Sequence, residues 1–470
     1  MTAQRPYIYY DLAISLCPTC LKRVYGKIVF EDDKVFMMKK CKEHGRFKVL
    51  IATDIEYYKK CRQYMKRSEM PCEFGKKSKY GCPYDCGLCE DHEQHSCSSV
   101  IEVTDQCNLK CPTCYASSGP NCGTHRSLEE IEKMFDIMVK SEGEPDVIQI
   151  SGGEPTIHPQ FFEIMDLAKT KPFKHLLLNT NGVRIANEEG FAEKLAKYMP
   201  EFELYLQWDS LDPKILKKLR GADLSKIRMK ALDKLNALNL STTLVVVVEK
   251  GLNEHELGDI VKFAMKQPCV RGITFQPTQF AGRNEDFDPA TDRITPTEVR
   301  QKIIAQQDTF TENDLIPVPC NPDTLTMAYG IKVNNKVHPL TRYIDPTKLL
   351  EASKNTIVFE RDEYLKAKLT DLFSTGNSPE SSSKIFGSLM CCLPKIIAPK
   401  NLKYDNIFRI LIMHFQDAYD FDVRAIKKSC VHIVHKDGRI IPFETMNLFY
   451  RDNEDYLKNN LQREDESFTF

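Results

Sequence analysis

The sequence lacks the long apolar run that a membrane-spanning helix needs. Its longest apolar runs, near residues 244–248 and 411–415, are far shorter than the ~20 residues that cross a bilayer. No basic and apolar signal segment is visible at the start. Net charge is also nearly absent, because 65 basic residues face 66 acidic ones, which argues against a general attraction to nucleic acid. We expect a cytoplasmic protein, with or without peripheral association at the inner membrane face, and no nucleic-acid partner.

Cysteine, by contrast, is abundant. The 18 cysteines of this 470-residue chain cluster in short-spaced sets, which favours metal binding in a reducing compartment over a disulfide framework. A chain of this length exceeds the size at which single cores stop growing, so two or three structural units are expected.

The most informative set is Cys107, Cys111 and Cys114, which directly follows the apolar run at residues 100–104. This spacing predicts an iron–sulfur site, and three thiolates on a four-iron cube leave one iron open to another ligand. About forty residues downstream, a second apolar run ends in the turn formed by residues 151–156. Its two glycines let backbone approach a ligand closely. The alternative interpretation is a structural zinc knuckle beside an unrelated glycine turn.

Between residue 100 and about residue 283, β-rich runs alternate with amphipathic helical segments, a pattern typical of parallel strands joined by crossover helices. The first connecting helix has a capping box at residues 127–130. Six βα units predict an α/β fold, a partial (β/α)6 barrel of the TIM type, whose functional residues gather at the carboxyl ends of the strands. The predicted strands are residues 100–104, 147–150, 175–179, 203–207, 242–248 and 272–276.

The rest of the chain is divided into three further segments. Residues 1–65 are predicted to form a small metal-binding module, residues 66–99 an auxiliary cluster segment before the barrel at 100–283, and residues 284–470 an α+β extension. Within that extension we expect a loop-rich stretch, a flexible connection at residues 374–383 and a helix over residues 406–418. This tail is expected to cover the open barrel, and the polar residues 462–467 are expected to fray.

The first module carries Cys17, Cys20, Cys41 and His44 on two knuckles separated by a predicted hairpin. The pattern matches a tetrahedral rubredoxin or zinc-ribbon site, and such ligands suit zinc or a single iron equally well. Cys61 is an alternative to His44 as the fourth ligand.

A second loop, with Cys82, Cys86 and Cys89, repeats the spacing of the first but follows no apolar strand. Cys97 stands eight residues further on and would close a fourth position. We therefore assign these four residues to a fully ligated auxiliary four-iron cluster, the alternative being cysteines that pack in a loop. Four scattered cysteines form either a second auxiliary cluster or buried free thiols; they are Cys320, Cys391, Cys392 and Cys430.

The cysteine loop and glycine turn together resemble the radical S-adenosylmethionine (SAM) superfamily. The resemblance implies that Cys107, Cys111 and Cys114 hold the catalytic [4Fe–4S] cluster, that SAM chelates its open iron, and that the Gly-Gly-Glu-Pro turn holds the amino end of SAM. Reductive cleavage would yield a 5′-deoxyadenosyl radical, with a low-potential donor such as ferredoxin or flavodoxin. The residues expected at the SAM site are Tyr115, Gly152, Gly153, Glu154, Pro155, Asn179, Gln207 and Asp209.

Several of these assignments have alternatives. Asn179 belongs to an Asn-Thr-Asn-Gly sequence that would make a good turn whatever it binds. Arg220 and Arg283 each lie beside a glycine and either contact the SAM carboxylate or an anionic head group, or are solvated at the surface.

A narrower resemblance is to the archaeal tetraether lipid synthase family. It is carried by residues 17–20, 81–92, 205–209, 219–224, 271–277, 429–432 and 442–443. The resemblance implies a rubredoxin-like iron site, auxiliary clusters and a lipid substrate, with the terminal methyl carbons of two isoprenoid tails joined through a carbon–carbon bond. An auxiliary cluster sulfur would trap the first carbon radical. Apolar residues 408–415 would then line a tail tunnel, the alternative being ordinary core.

Two other enzyme or binding functions compete with this one. A peptide-modifying radical SAM enzyme also carries auxiliary clusters after its barrel. A zinc-ribbon nucleic-acid binder with a redox cluster is the second, although the near-neutral charge gives it poor support. An electron carrier without catalysis does not explain the open iron and the glycine turn.

Overall fold

The computed structural model describes residues 5–63, 69–333, 336–342, 346 and 406–451. Among these residues, no helix combines the length and the apolar character needed to cross a bilayer. The predicted connection at 374–383, both Cys391 and Cys392, and the polar end at 462–467 lie outside the described part of the chain.

The chain begins with an antiparallel sheet whose strands follow one another in chain order. Its elements are β1 (Ile8–Leu16), β2 (Arg23–Glu31), β3 (Lys34–Cys41), β4 (Gly45–Ala52) and the following helix α1 (Ile55–Gln63). The predicted hairpin is confirmed, because Asp32 and Asp33 both take positive φ (50° and 57°) between β2 and β3, as a tight two-residue hairpin turn requires. Ile28, Val35 and Met37 form its small core.

All six predicted parallel strands are present, and they neighbour one another in chain order. They are β5 (Ser98–Thr104), β7 (Val147–Gly152), β8 (His175–Thr180), β9 (Phe202–Gln207), β10 (Thr242–Val248) and β11 (Val270–Pro277), with the two-residue strand β6 (Thr113–Cys114) after the first. β10 matches its predicted bounds, and the others are longer at one or both ends. The sheet is therefore the predicted barrel wall.

Helices follow most of these strands and pack on the outer face of the sheet. They are α2 (Leu128–Glu142), α3 (Phe161–Thr170), α4 (Val183–Asn187), α5 (Phe191–Ala196), α6 (Pro213–Arg220), α7 (Ser225–Leu238) and α8 (Leu257–Lys266). The predicted capping box of α2 is present: Ser127 Oγ accepts a hydrogen bond from Glu130 N, and the Glu130 carboxylate accepts from Ser127 N. Ile131, Phe135 and Met138 of α2 are buried against the sheet.

The C-terminal extension contains more regular structure than predicted. It comprises β12 (Arg283–Asn284), α9 (Pro296–Gln306), β13 (Ile316–Pro317), β14 (Leu325–Val333), β15 (Lys336–Pro339), β16 (Ile407–Met413), α10 (Val423–Ile426), β17 (Val431–Val434), β18 (Ile440–Pro442) and α11 (Phe443–Thr445). A short π-helical turn, Met446–Tyr450, follows α11.

The helix predicted over residues 406–418 is wrong, because this segment contains the buried strand β16. Arg409, Leu411 and Met413 line the barrel interior, whereas Phe408, Ile410 and Ile412 belong to the core on the helix side. An apolar run without clear periodicity does not distinguish a strand that is buried on both faces from a helix. Pairing with β11 on one side and β14 on the other decides in favour of the strand.

The extension completes the barrel wall at its two edges. β16 runs parallel to β11 at one edge, and β17 runs parallel to β5 at the other. The strand order is β13-β14-β16-β11-β10-β9-β8-β7-β5-β17-β18, and β15 pairs with β14. The expected cover over an open barrel is thus largely an enlargement of the sheet itself.

Candidate active site

The first cysteine loop leaves the carboxyl end of β5. Cys107 and Cys111 are buried, and Cys114 is half-buried. The three sulfur atoms do not all lie within 4.8 Å of one another, so the set is wider than a single ion needs. Burial raises the pKa of the Cys107 thiol to about 12. Its thiolate form is therefore stable only when a bound cation or metal cluster offsets the burial. The donor set therefore fits an iron–sulfur cluster better than one zinc ion.

The glycine turn at the end of β7 packs directly against this loop. Gly153 N donates to Thr104 O (2.8 Å), and Glu154 N donates to Gln106 O (2.9 Å). A Cβ on Gly152 would lie 2.2 Å from Thr104 O, and a Cβ on Gly153 would lie 2.2 Å from Gln106 O. The glycines are therefore required by the contact between two backbone segments, in addition to any role toward a ligand.

The buried Glu154 links the glycine turn to the end of β8 through hydrogen bonds. Its carboxylate accepts hydrogen bonds from Thr156 Oγ1 (2.5 Å), Thr180 Oγ1 (2.8 Å) and Asn181 N (2.8 Å). Burial raises the pKa of the carboxyl, and these hydrogen bonds oppose that rise. Asn181 Nδ2 also donates to Asn108 Oδ1 at 2.7 Å, which joins the end of β8 to the cysteine loop.

Asp209, which was predicted at the SAM site, is bound by two arginines. It is fully buried and accepts two hydrogen bonds from Arg220 (2.7 and 2.6 Å) and one from Arg228 (2.8 Å). Burial alone would raise the pKa of Asp209, but the two guanidinium groups lower it to about 2. Arg220 is thus neither solvated nor free for a SAM carboxylate. It also lies against Cys111, whose pKa burial raises and this guanidinium lowers.

The Arg283 side chain binds backbone carbonyls of the cysteine loop. Its guanidinium donates to Cys111 O (2.6 Å), Ser117 O (3.2 Å) and Ser118 O (2.6 Å). β12, which contains Arg283, also pairs with β6 inside the loop. This arrangement corrects the predicted solvated side chain for Arg283, and the predicted contact to SAM stays a prediction.

Tyr115, Asn179 and Gln207 lie at the same edge of the sheet. Tyr115 and Asn179 line the barrel cavity, and Asn179 Nδ2 donates to Ser151 Oγ at 3.2 Å. Gln207 ends β9 and is half-buried. Burial raises the pKa of the Tyr115 hydroxyl, and its ring packs on Phe443 with centroids 4.8 Å apart. These side chains surround the place where the glycine turn and the cysteine loop meet.

A cavity runs down the barrel from this edge and is lined by side chains from the barrel strands and the C-terminal extension. Its apolar wall comes mainly from the C-terminal extension and includes Met327, Leu411, Met413, Phe415 and Phe443. Its opposite end carries charged and polar side chains that sequence analysis did not select, namely His175, Glu203, Thr243 and Arg409. His175 and Glu203 stand two residues before other inward-facing positions of β8 and β9, so strand alternation was a signal that could have found them.

The second cysteine loop packs against the C-terminal extension. A small pocket is lined by Cys82, Cys86 and Cys89 together with Lys427 and Pro442 of the extension. Burial raises the pKa of Cys86 to about 12. These three sulfurs also do not all lie within 4.8 Å of one another. The spacing and burial of these thiols fit an auxiliary cluster.

Cys97 does not join that loop, which corrects its predicted grouping. Its sulfur lies with those of Cys320 and Cys430, all within 4.8 Å of one another, and Cys320 Sγ is 3.7 Å from Cys430 Sγ. Hydrogen bonds from Cys430 and Cys97 lower the pKa of Cys320. The pairing of β17 with β5 brings this set together, because Cys97 directly precedes β5 and Cys430 directly precedes β17.

The N-terminal knuckles bring Cys17, Cys20, Cys41 and His44 within 4.8 Å of one another. His44 Nδ1 lies 3.7 Å from Cys17 Sγ and 3.6 Å from Cys41 Sγ. Cys61 lies elsewhere, buried in α1. Of the two predicted fourth ligands, the geometry therefore selects His44, and the set fits a single tetrahedral metal.

Two family profiles match the chain. Residues 101–264 match the radical SAM superfamily, and residues 9–53 match the HMPTM N-terminal zinc ribbon domain. The first match covers the cysteine loop, the glycine turn and five of the six parallel strands. The second match covers β1–β4 and the four-ligand knuckle site.

Individual relatives cover the chain to different extents. The 7,8-dihydro-6-hydroxymethylpterin dimethyltransferase of Methanocaldococcus jannaschii is 32% identical over 93% of both chains. The GTP 3′,8-cyclase of Syntrophomonas wolfei is 31% identical over 40% of this chain and 58% of its own length. Among solved structures, Streptococcus suis SuiB bound to SAM has a TM-score of 0.36 at 17% identity, over 44% of this chain and 46% of that one.

Proposed function

Because this chain belongs to the radical SAM enzyme family that contains 7,8-dihydro-6-hydroxymethylpterin dimethyltransferase, we propose that it is a methyltransferase acting on a reduced pterin. The observation that carries the proposal is a cavity with a polar, charged far end, which reaches the cysteine loop at Tyr115 and the end of β8 at Asn179. A hydrogen-bonding heterocycle suits such a cavity better than a purely hydrocarbon ligand does.

We assign the site residues as follows. Cys107, Cys111 and Cys114 hold a [4Fe–4S] cluster through their thiolates and leave one iron for SAM. When bound, this cofactor pair supplies a carbon-centred radical able to take hydrogen from an unactivated C–H bond. The chain's own residues position the pair: Gly152 and Gly153 keep the turn against the loop, and Arg220 lies beside the Cys111 sulfur.

The cavity walls have two further roles. Tyr115, Asn179 and Gln207 at the rim orient the adenosyl and methionyl parts of SAM through hydroxyl and amide groups. The aromatic side chains Phe415 and Phe443, stacked with centroids 4.0 Å apart, close the apolar wall. Excluding water from this space protects a carbon radical from side reactions.

The remaining metal sites serve electron transfer and structure in this proposal. Cys82, Cys86 and Cys89 hold one auxiliary cluster, and Cys97, Cys320 and Cys430 contribute to another metal centre. Cys17, Cys20, Cys41 and His44 bind zinc or iron. A low-potential donor such as ferredoxin or flavodoxin delivers the electron that cleaves SAM.

Coupling of lipid tails is the second candidate, and the apolar wall of the cavity favours it. Met327, Leu411, Met413 and Phe415 present a continuous hydrocarbon surface from the rim inward, as an isoprenoid tail would require. Both candidates share radical generation and differ in the substrate that fills the barrel.

Anaerobic reconstitution followed by incubation with SAM and dithionite tests the proposal. We expect 5′-deoxyadenosine and methionine from one SAM when 7,8-dihydro-6-hydroxymethylpterin is present. A second SAM donates the methyl group to the pterin and leaves as S-adenosylhomocysteine, with dithionite supplying the electrons. A parallel incubation with extracted membrane lipids tests the second candidate through a mass shift of the lipid. The Cys111→Ala variant controls for SAM cleavage that does not come from the cluster. Turnover with lipid alone would contradict the pterin assignment.

A further inference from the structure

Four side chains form a polar cluster at the closed end of the barrel cavity; we call Glu203, Arg409, His175 and Thr243 the basal cluster. Arg409 Nη2 lies 2.8 and 3.1 Å from the two Glu203 carboxylate oxygens. His175 Nε2 lies 3.7 Å from the same carboxylate, and Thr243 Oγ1 donates to it. All four residues line the cavity.

A contribution to folding stability does not explain why charged side chains occupy the basal cluster. Barrel interiors of this type are usually filled by branched apolar side chains. Replacing a buried ion pair by well-packed apolar residues is often neutral or stabilising. The Glu203 side chain is only 1% exposed, yet Arg409 and His175 keep its pKa low against the effect of burial. An ionised carboxylate, covered by Arg409, His175 and Thr243, thus lies in the wall of the cavity.

Strand geometry places the basal cluster opposite the rim. His175 begins β8 and Asn179 lies near its end, a separation of about 13 Å at the ~3.3 Å rise per strand residue. Strand pairing aligns Leu177 of β8 with Glu203 of β9, Thr243 of β10 with Gly272 of β11, and Gly272 with Arg409 of β16. The basal cluster therefore forms the floor of the cavity, and its residues come from β8, β9, β10 and β16.

We propose that the basal cluster binds the amino-pyrimidinone edge of a pterin-type heterocycle and so determines substrate specificity. This inference rests on the proposed function and names the residues that recognise its substrate. The 2-amino group and the adjacent ring N–H offer two donors, and the neighbouring carbonyl offers an acceptor. When the heterocycle replaces part of the Glu203–Arg409 contact, the carboxylate provides acceptors and the guanidinium provides donors, and such charge-assisted hydrogen bonds are the strong ones.

Orientation follows from this assignment. With its pyrimidinone edge on the floor, the ring directs its other edge and substituent toward the rim, where the cysteine loop lies. The side chains between floor and rim include Leu177, Tyr205, Val245 and Thr274, and Tyr205 and Thr274 are hydrogen-bonded to each other. These groups flank the ring faces without competing for its polar edge.

Fluorescence titration of 6-hydroxymethylpterin with the anaerobically reconstituted full-length protein tests the inference without turnover. The variants are Glu203→Gln, which keeps the shape of the side chain and removes its charge, and Thr243→Val, which keeps the charges of Glu203 and Arg409. Asp314→Asn is the matched control, a buried carboxylate that accepts hydrogen bonds from Thr311 (2.7 and 2.8 Å). The comparison ligand is 6-hydroxymethyllumazine, which has an oxygen in place of the 2-amino group.

We expect Glu203→Gln to weaken pterin binding about tenfold to a hundredfold and to abolish the preference for pterin over lumazine. Asp314→Asn should bind pterin as the unsubstituted protein does. Unchanged binding by Glu203→Gln overturns the role of the basal cluster and leaves the proposed function intact. Failure of the unsubstituted protein to bind pterin removes the proposed substrate and this inference together.

Should Glu203→Gln fail to fold, as a thermal melt would reveal, Thr243→Val decides the question. Losing one hydrogen bond to the carboxylate is expected to weaken pterin binding about threefold to tenfold. Equal binding by Thr243→Val and the unsubstituted protein would overturn the inference.

Discussion

The loop with Cys107, Cys111 and Cys114 and the loop with Cys82, Cys86 and Cys89 have the same cysteine spacing but different surroundings. The first leaves a barrel strand and is held by the glycine turn, by Arg220 and by Arg283. The second lies against the C-terminal extension, whose Lys427 and Pro442 line the same pocket. Spacing thus specifies the kind of cluster, whereas the neighbouring elements decide whether a substrate can reach it.

Each loop depends on a buried carboxylate that accepts backbone hydrogen bonds. Glu154 accepts from Asn181 N at 2.8 Å beside the first loop. Asp85 lies within the second loop and accepts from Lys79 N and Gly81 N, both at 2.7 Å. The comparison shows one physical device, a buried acceptor that organises several N–H groups, applied to two turns with different functions.

The largest expected effect comes from removing a thiol of the first loop. Cys111→Ala should abolish SAM cleavage, because a cluster bound by two thiolates is not retained in the geometry that SAM needs. Iron and sulfide content should fall by about four each per chain, and 5′-deoxyadenosine should not be detected. The matched control is Cys122→Ser, which changes an exposed cysteine nearby and should leave cleavage unaffected.

Gly153→Ala should have the next largest effect. The new Cβ would lie 2.2 Å from Gln106 O, so the cysteine loop must move, and a displacement of about 1 Å can reduce the rate roughly a hundredfold. Gly119→Ala is the control, since its Cβ would meet Cys122 Sγ at an ordinary 3.4 Å. Equal rates of SAM cleavage in both variants would show that the turn does not position the loop.

Asp209→Asn should lower stability more than it lowers cluster content. Breaking a buried ion pair costs about 3–5 kcal/mol, and Asp209 is shared by Arg220 and Arg228. The corresponding pair near the second loop, Lys427 with the 43%-exposed Asp91 at 3.7 Å, is worth about 0–1 kcal/mol. Thermal unfolding of Asp209→Asn and Asp91→Asn should therefore differ clearly, and similar melting temperatures would contradict this view of the first loop.

Cys86→Ala should affect SAM cleavage least. Iron content is expected to fall by about four per chain, while substrate-independent formation of 5′-deoxyadenosine continues at a rate close to that of the unsubstituted protein. Loss of SAM cleavage in this variant, with the first cluster still present by EPR, would mean that the two loops are not functionally separate. Product formation, measured in parallel, reports whether the auxiliary site is needed after cleavage.

Local chemistry made much of this molecule predictable. The six parallel strands, the α2 capping box and the β2–β3 hairpin follow from periodicity and turn residues within short windows. His44 was one of two possible fourth ligands, and only the fold of the knuckles placed its ring beside Cys17 and Cys41. Asp209 was predicted to contact SAM, and Arg220 to contact an anionic ligand or to be solvated; the structure pairs them with each other, because two charged groups buried together must pair.

The amino-acid sequence by itself determined which thiols lie near one another within a loop, since two or three intervening residues cannot separate them far. Tertiary structure alone decided the long-range groupings. Cys97 meets Cys320 and Cys430 because β17 pairs with β5, and Glu203 meets Arg409 because β16 joins the sheet beside β11. Contacts across hundreds of residues depend on strand pairing, and no local pattern specifies which edge a returning strand will join.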